Sequence, residues 1–250
     1  MKEGRFAPKF AAMAAVLVHP EVLLDSRLAL VHQTQGWLAV ADVHYGFAET
    51  MRERGGLFPL WGDVTVEERL AALCADYQPE TLIINGDLVH GRVHRFEFAG
   101  FLTRLGCMAE QVIFVGGNHD RSPTVRAAGF VESHNTPGFF FHHGHLDLKA
   151  PEGVIEVTGH FHPAVTLRDG AGLRLKLPAF VEEAGGWGTR WILPAFSPWA
   201  GGAEWPDQKG TVTHRWICGP KRILPPDPTD RSDPTDLSDC QKPPDPVTRT

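Results

Sequence analysis

Seven side chains that bind divalent metals well occur in a fixed order along this chain: Asp42 and His44, Asp87, Asn118, His143, then His160 and His162. They belong to five short clusters: Asp42-Val43-His44, Gly86-Asp87, Gly117-Asn118-His119-Asp120, His143-Gly144-His145 and Gly159-His160-Phe161-His162. Any one of these would be weak, because a D-x-H occurs by chance and a lone histidine is usually an ordinary core or surface residue. Their joint occurrence in this order is what points to chemistry. Hydrolysing a phosphate ester requires shielding an anionic phosphoryl group, a nucleophile at neutral pH, and stabilisation of charge in an in-line transition state. Two divalent ions about 3.5–4 Å apart supply all three. A bridging carboxylate surrounded by imidazole and carbonyl oxygen suits Mn, with Fe, Zn or Co also possible, better than Mg or Ca. The single residue between Asp42 and His44, and between His160 and His162, points both members of each pair the same way in an extended segment.

The elements that must position these clusters are legible as apolar runs. Trp37–Val43, Thr81–Ile84, Gln111–Val115, Phe139–His142 and Val154–Val157 read as buried strands, and most deliver a polar cluster at their C-terminal ends, where ligand sites form in open α/β sheets. Val22–Leu24 and Leu28–Val31 flank Asp25-Ser26 like a hairpin. Val64–Cys74 has helical spacing, with Thr65 as the N-cap and Glu68 three positions on. Phe96–Leu105 also reads as a helix. Further strands are expected at Leu173–Leu177 and Arg190–Leu193.

Composition sets the boundaries. The chain has 250 residues, 42% of them hydrophobic, enough for one sizeable core. Its formal net charge of −6 means that nucleic acid could be held only by a local basic patch, not by the overall field. Cys74, Cys107, Cys218 and Cys240 form no C-x-x-C pair and read as reduced thiols, which points to the cytoplasm. The apolar run Ala11–Val18 is too short to span a bilayer, and no membrane partner is expected. The expected organisation is an N-terminal extension over 1–14, one domain over 15–223, and a disordered Pro/Asp-rich tail over 224–250, where DPTDRSDPTDLSD has almost nothing apolar to repay ordering.

The series DxH, GD, GNHD, GH and GHxH resembles the calcineurin-like metallophosphoesterase superfamily. Within it, the chain is most similar to the ligase-associated DNA damage response endonucleases. That closer likeness rests on Ala41–Gly46, Met51–Gly56, Asn85–Gly91, Leu177–Phe180 and Ile192–Gly202, and covers about residues 15–205. The chain departs from the pattern at Phe47, where such proteins often carry a lysine. The resemblance implies a four-layer α/β/β/α sandwich of two mixed sheets with two divalent metal ions, Mn foremost, at one edge. It implies that Asp42, His44 and His162 hold one ion, that Asn118, His143 and His160 hold the other, and that Asp87 bridges them. His119 would contact the phosphate and protonate the leaving oxygen, with Asp120 orienting its ring; a carboxylate partner raises an imidazole's pKa and fixes its tautomer. The implied activity is phosphodiester hydrolysis, with DNA the leading substrate and a DNA ligase or helicase as implied repair partners.

Around these residues the reading stays open. His142 and His145 compete with His143 for its place. His90, Arg92, His94 and Arg95 could line a cationic rim or a solvated loop; Arg92 and Arg95, with Arg52 and Arg54, are the candidate contacts to substrate phosphates. Trp187, Trp191, Trp199 and Trp205 are expected to pack rather than to stack on bases. Two other functions compete: a small-molecule phosphodiesterase or nucleotide pyrophosphatase using the same centre, and a non-catalytic, metal-stabilised interaction module.

Overall fold

The computed structural model describes residues 15–91, 93–168, 171–207 and 209–224. A first sheet takes its strands in sequence order: β1 (Ala15–His19), β2 (Val22–Asp25), β3 (Ala29–His32), β4 (Trp37–Val40), β5 (Thr81–Asn85) and β6 (Gln111–Val115). The first four are joined antiparallel, and the expected hairpin closes with Leu28 N–H donating to the Asp25 carbonyl at 2.9 Å. β4, β5 and β6 run parallel. Their central residues show why: Leu38, Ala39 and Val40, then Leu82, Ile83 and Ile84, are fully buried, as strands covered on both faces must be.

Parallel neighbours require crossovers, and these carry the helices. Between β4 and β5 lie α1 (Phe47–Glu53) and α2 (Trp61–Tyr77); α3 (Arg95–Gly106) joins β5 to β6, and α4 (Pro123–Arg126) follows β6. α2 buries Val66, Leu70, Leu73, Cys74 and Tyr77, a stripe at helical spacing. It begins a turn earlier than the sequence suggested. Thr65 is therefore not its N-cap; its hydroxyl donates to the Trp61 carbonyl within the helix at 3.0 Å. At the far end the Tyr77 hydroxyl donates to buried Asp25 at 2.7 Å, which ties α2 to the β2–β3 turn. α1 was not foreseen, being too short to show a period.

The second half is built of strands: β7 (Ser133–Thr136), β8 (Phe139–His142), β9 (Ile155–Thr158), β10 (Pro163–Arg168), β11 (Arg174–Gly185), β12 (Gly188–Ile192), β13 (Ala203–Glu204), β14 (Val212–Cys218) and β15 (Ile223–Leu224). They form a second mixed sheet in the order β13-β10-β11-β12-β9-β8-β7, with β14 pairing β11 and β15. β8 and β9 are parallel, so their C-terminal ends lie side by side. Aromatic residues join the sheets: Trp37 meets Phe139 and Phe141 edge-on at centroid distances of 5.3 and 5.2 Å. Of the late tryptophans, Trp191 is fully buried, as expected, whereas Trp187 is 54% exposed. Among the described residues, Cys74, Cys107 and Cys218 are free, and no helix is long and apolar enough to cross a membrane. Residues 1–14, the segment 225–250 with Cys240, and Arg92 lie outside the described residues.

Candidate metal centre

Five strand ends converge on one edge of the two sheets. Asp42 and His44 follow β4, Asp87 follows β5, Asn118 follows β6, His143 directly follows β8, and His160 and His162 follow β9. The backbone stitches these segments together. Asp42 N–H donates to the Gly86 carbonyl at 3.1 Å and His44 N–H to the Asp87 carbonyl at 2.9 Å. Across the sheets, His160 N–H donates to the Asp42 carboxylate at 2.9 Å. Asn85, just before Gly86-Asp87, is buried and donates from its side chain to the His142 and Val157 carbonyls at 3.1 and 3.0 Å, pinning β5 to β8 and β9. Nothing local in the sequence marks Asn85 for this role.

Two glycines are dictated by close approach. A Cβ on Gly86, whose φ is +92°, would lie 1.9 Å from His143 Nδ1, and one on Gly117 would lie 2.0 Å from Asp87 Oδ1. The clusters also hold backbone that L-residues avoid. Asp42, His44, Asp87, His160 and His162 all have φ between 45° and 70°, and among the described non-glycine residues only Glu21, Leu28 and Gln78 share the feature. Left-handed backbone costs roughly 1–3 kcal/mol per residue and persists where surroundings over-determine it, characteristically at functional sites.

The side chains gather into two groups, Asp42 with His44 and His162, and Asp87 with His143 and His160; within each, the donor atoms all lie within 4.8 Å of one another. His44 Nε2 is 3.3 Å from His162 Nε2, which is 3.3 Å from Asp42 Oδ1. His143 Nε2 is 3.3 Å from Asp87 Oδ2 and 3.1 Å from Asn118 Oδ1. Ligands about 2.1 Å from one ion stand roughly 3.0–3.4 Å apart, so these are separations that a shared cation would satisfy. Asp87 Oδ2 also lies 4.0 Å from His44 Nε2, between the two groups.

Electrostatics agree with the geometry. Burial pushes His44 down to about 4, despite the nearby carboxylates, and burial lowers His160 as well; both imidazoles are neutral at pH 7, as ligands must be. Burial opposes ionisation of Asp87, yet the His143 imidazole and the His119 amide outweigh it and hold the carboxyl well below its usual range. His143 is raised, burial being overcome by Asp87 and Asp42; a potential that attracts a proton also attracts a divalent cation. Its Nδ1 faces the Asn85 carbonyl at 3.4 Å, which leaves Nε2 for the site. Of its competitors, His142 turns away to Glu156 at 2.7 Å, and the His145 ring, 5.2 Å from that of His143, belongs to neither donor group.

His119 reaches the centre, with Nε2 3.9 Å from Asp87 Oδ2 and its backbone N–H donating to Asp87 Oδ1 at 2.8 Å. Among the described residues the buried Asp120 carboxylate shows no hydrogen bond to the His119 ring; it accepts from the backbone N–H groups of Gly117, Val89 and Leu88 at 2.9, 3.1 and 3.3 Å. Burial pushes this carboxyl up to about 6 against those amides. The partner of the His119 ring is His90, stacked on it at 4.7 Å with its Nδ1 3.3 Å from His44 Nδ1. His90 therefore belongs to the centre rather than to a rim, and its place three residues after Asp87 was the only sequence signal. Arg54 is close enough to His90 to lower its pKa, behind burial and His119. Arg52 is exposed and turns to the Phe58 carbonyl at 3.3 Å, and Arg95 is exposed at the start of α3.

The model of the calcineurin-like phosphoesterase family matches residues 38–198, from within β4 to just past Ser197, whose N–H donates to the Asp42 carbonyl. The chain belongs to this family. It is thus a metal-dependent phosphoesterase, and the donor set just described fits two divalent ions. In fold this phosphoesterase is similar to the crystal structure of the Pseudomonas putida nuclease MPE, at 24% identity and a TM-score of 0.61, over 85% of this chain and 100% of that one. A conserved uncharacterised protein from Streptococcus pneumoniae, described as a predicted phosphoesterase, aligns at 14% identity and a TM-score of 0.29, over 72% of this chain and 81% of that one. No curated protein sequence matches the chain.

Proposed function

We propose that this phosphoesterase hydrolyses phosphodiester bonds in a nucleic acid strand, DNA foremost, as a repair-type endonuclease. The observation that carries the reading is the place of Asp87: one carboxylate between two His/Asp groups, with the His119 ring at 3.9 Å. In this reading Asp42, His44 and His162 hold one divalent ion, Asn118, His143 and His160 hold the other, and Asp87 is shared. Mn fits imidazole, carboxylate and amide oxygen together, as Fe, Zn and Co do. When bound, such a pair of ions neutralises phosphoryl charge and supplies a nucleophile at neutral pH.

The chain's own residues do the rest. His119 donates a proton from Nε2 to the leaving oxygen. The His90 ring, flat against it, limits its rotation. Asp120 ties the loop after β6 to the loop after β5, and so keeps His119 at Asp87. Arg54, Arg52 and Arg95 form a local basic rim for flanking phosphates, which a chain of net charge −6 needs if it is to hold a polyanion, and Arg92, outside the described residues, is the fourth candidate contact. The nuclease with which the fold is shared supports this choice of substrate. Residues 15–223 act as the catalytic domain, and the setting is the cytoplasm.

The test is a substrate panel with Mn: bis-p-nitrophenyl phosphate, cyclic nucleotides and single-stranded DNA. The expected result is turnover of the diester and of DNA. Neutralising the four arginines should flatten the salt dependence of DNA binding by up to about 0.7 log units per lost contact. Turnover of cyclic nucleotides alone would transfer the assignment to a small-molecule phosphodiesterase. No turnover of any ester would leave a non-catalytic module.

A further inference from the structure

A cavity of about 320 Å³ opens beside the first metal group and shares His162 with it. Its walls come from α2, from the start of β10, from β11 and from the 195–202 loop; no carboxylate lines it, but two cations, Arg69 and Lys176, do. That is unusual in a chain with 30 acidic residues against 24 basic ones.

Arg69 is half-buried. Its Nη1 donates to the Phe196 carbonyl at 2.9 Å, and its Cζ lies 4.9 Å over the Phe196 ring. Among the described residues it has no acidic partner, and burial with nothing to offset it lowers its pKa. Fixing the 195–202 loop to α2 accounts for one donor and the ring face; it leaves Nε and Nη2, the edge that grips a phosphate bidentately. Lys176, on β11, is exposed and donates to the Gly202 carbonyl at 2.6 Å, which holds its charge at the cavity wall. A half-buried cation held without a counter-charge gains when an anion arrives to pair with it.

We propose that this cavity is an anion subsite that receives a second phosphoryl group of the substrate, next to the one hydrolysed at the metal centre. The inference rests on the phosphodiesterase reading and narrows it: the preferred substrate carries at least two phosphoryl groups, as a strand does and a simple diester does not. His162 forms both a wall of the cavity and a member of the first metal group, so a substrate seated at both is continuous.

The experiment uses the full chain with Mn and matched chromogenic esters. Thymidine 5′-(p-nitrophenyl phosphate) is compared with the same ester carrying a 3′-phosphate, and thymidine 3′-(p-nitrophenyl phosphate) with the same ester carrying a 5′-phosphate. One member of each pair offers a second phosphoryl group, and the two pairs cover both strand directions. In at least one pair the extra phosphate should raise kcat/KM about ten- to hundredfold, mainly through KM, the range for a charge-assisted contact. Arg69→Gln and Lys176→Gln should each shrink that ratio, and Arg69→Lys should retain part of it. Should Arg69→Gln loosen the loop, Lys176→Gln, at an exposed position, still decides the matter. A ratio near one in both pairs, or a raised ratio unchanged in Lys176→Gln and Arg69→Gln, overturns the subsite while the phosphodiesterase reading stands. Failure to turn over the singly phosphorylated esters overturns that reading itself, and the subsite with it.

Discussion

Replacing Asp120 with Asn separates two accounts of this residue. If the carboxylate oriented the His119 ring, Asp120→Asn would leave the fold intact and lower turnover most for esters with poor leaving groups. The structure gives it a different load. One oxygen accepts from Gly117 and Leu88 N–H, the other from Val89 N–H, all in a buried pocket. The amide of Asn keeps one acceptor oxygen and turns its NH₂ toward at least one of these donors. Losing a hydrogen bond to a charged acceptor costs about 1.5–3 kcal/mol, and a buried N–H left without a partner costs about 1–3 kcal/mol. Against this, removing a carboxylate that burial has already pushed up to about 6 returns some desolvation energy. A net loss of about 2 kcal/mol follows, which for a domain of this size lowers Tm by about 4–8 °C. Activity should fall by a similar factor for good and poor leaving groups, because the whole Gly117–His119 loop moves. Differential scanning calorimetry and a leaving-group series on the same preparation decide the issue. An unchanged Tm with a loss confined to poor leaving groups would refute the loop-tying argument and restore the ring-orienting one.

Asp87→Asn should cost more activity than any other ligand change and release at least one ion, read by metal analysis; near wild-type turnover with two ions bound would contradict a shared carboxylate. His119→Ala should keep its metal content and lose about 10²–10⁴-fold in turnover, less for nitrophenolate leaving groups; equal losses across leaving groups would mean that the ring positions phosphate rather than donating a proton. Gly117→Ala places a Cβ against the Asp87 carboxylate and amide, so both Tm and metal affinity should drop; a neutral outcome would show that the loop contact is not as drawn. Mn at a hundred times its dissociation constant should raise Tm by about 5–11 °C, since ligand linkage at that ratio is worth about 2.7 kcal/mol; an unmoved transition on Mn titration would mean that the groups do not hold it.

The strand ends were legible because each is announced locally. An apolar run followed by glycine and a donor residue marks β5 with Asp87 and β6 with Asn118 in the sequence, although only β5 is buried along its length and β6 is a partly exposed edge strand. Long helices were legible too, although α2 starts at Trp61 rather than at Val64 because its first turn has no side-chain cap to mark it. What stayed hidden is contact across the two sheets. Asn85 looks like a turn residue until its amide is found between the carbonyls of β8 and β9. Asp120 looks like a catalytic partner because it is adjacent to His119 in sequence, yet a strand-end turn sends neighbouring side chains to opposite sides. His90 looks like the start of a charged loop until its ring is found against those of both His44 and His119.

The same non-local logic explains why the donor pairs occupy backbone that propensity would forbid. Asp42 and His44, and equally His160 and His162, were expected to aim together because side chains alternate along an extended strand. They do converge, but by another route: each of the four has left-handed φ, and both pairs lie after the last strand residue, Val40 or Thr158. A chain in ordinary extended conformation would carry the second residue of each pair onward along the sheet. Left-handed backbone turns the segment back over the strand ends, where the Gly86 and Asp87 carbonyls hold the Asp42 and His44 amides and the Asp42 carboxylate holds the His160 amide. Five such residues at roughly 1–3 kcal/mol each is a strain comparable to the whole net stability of a domain. Strain of that size persists only if the interlocking hydrogen bonds at the sheet edge outweigh it. Preorganised ligands are the return: the donors already stand at metal-binding separations, and little of the binding energy of a divalent ion is spent on gathering them.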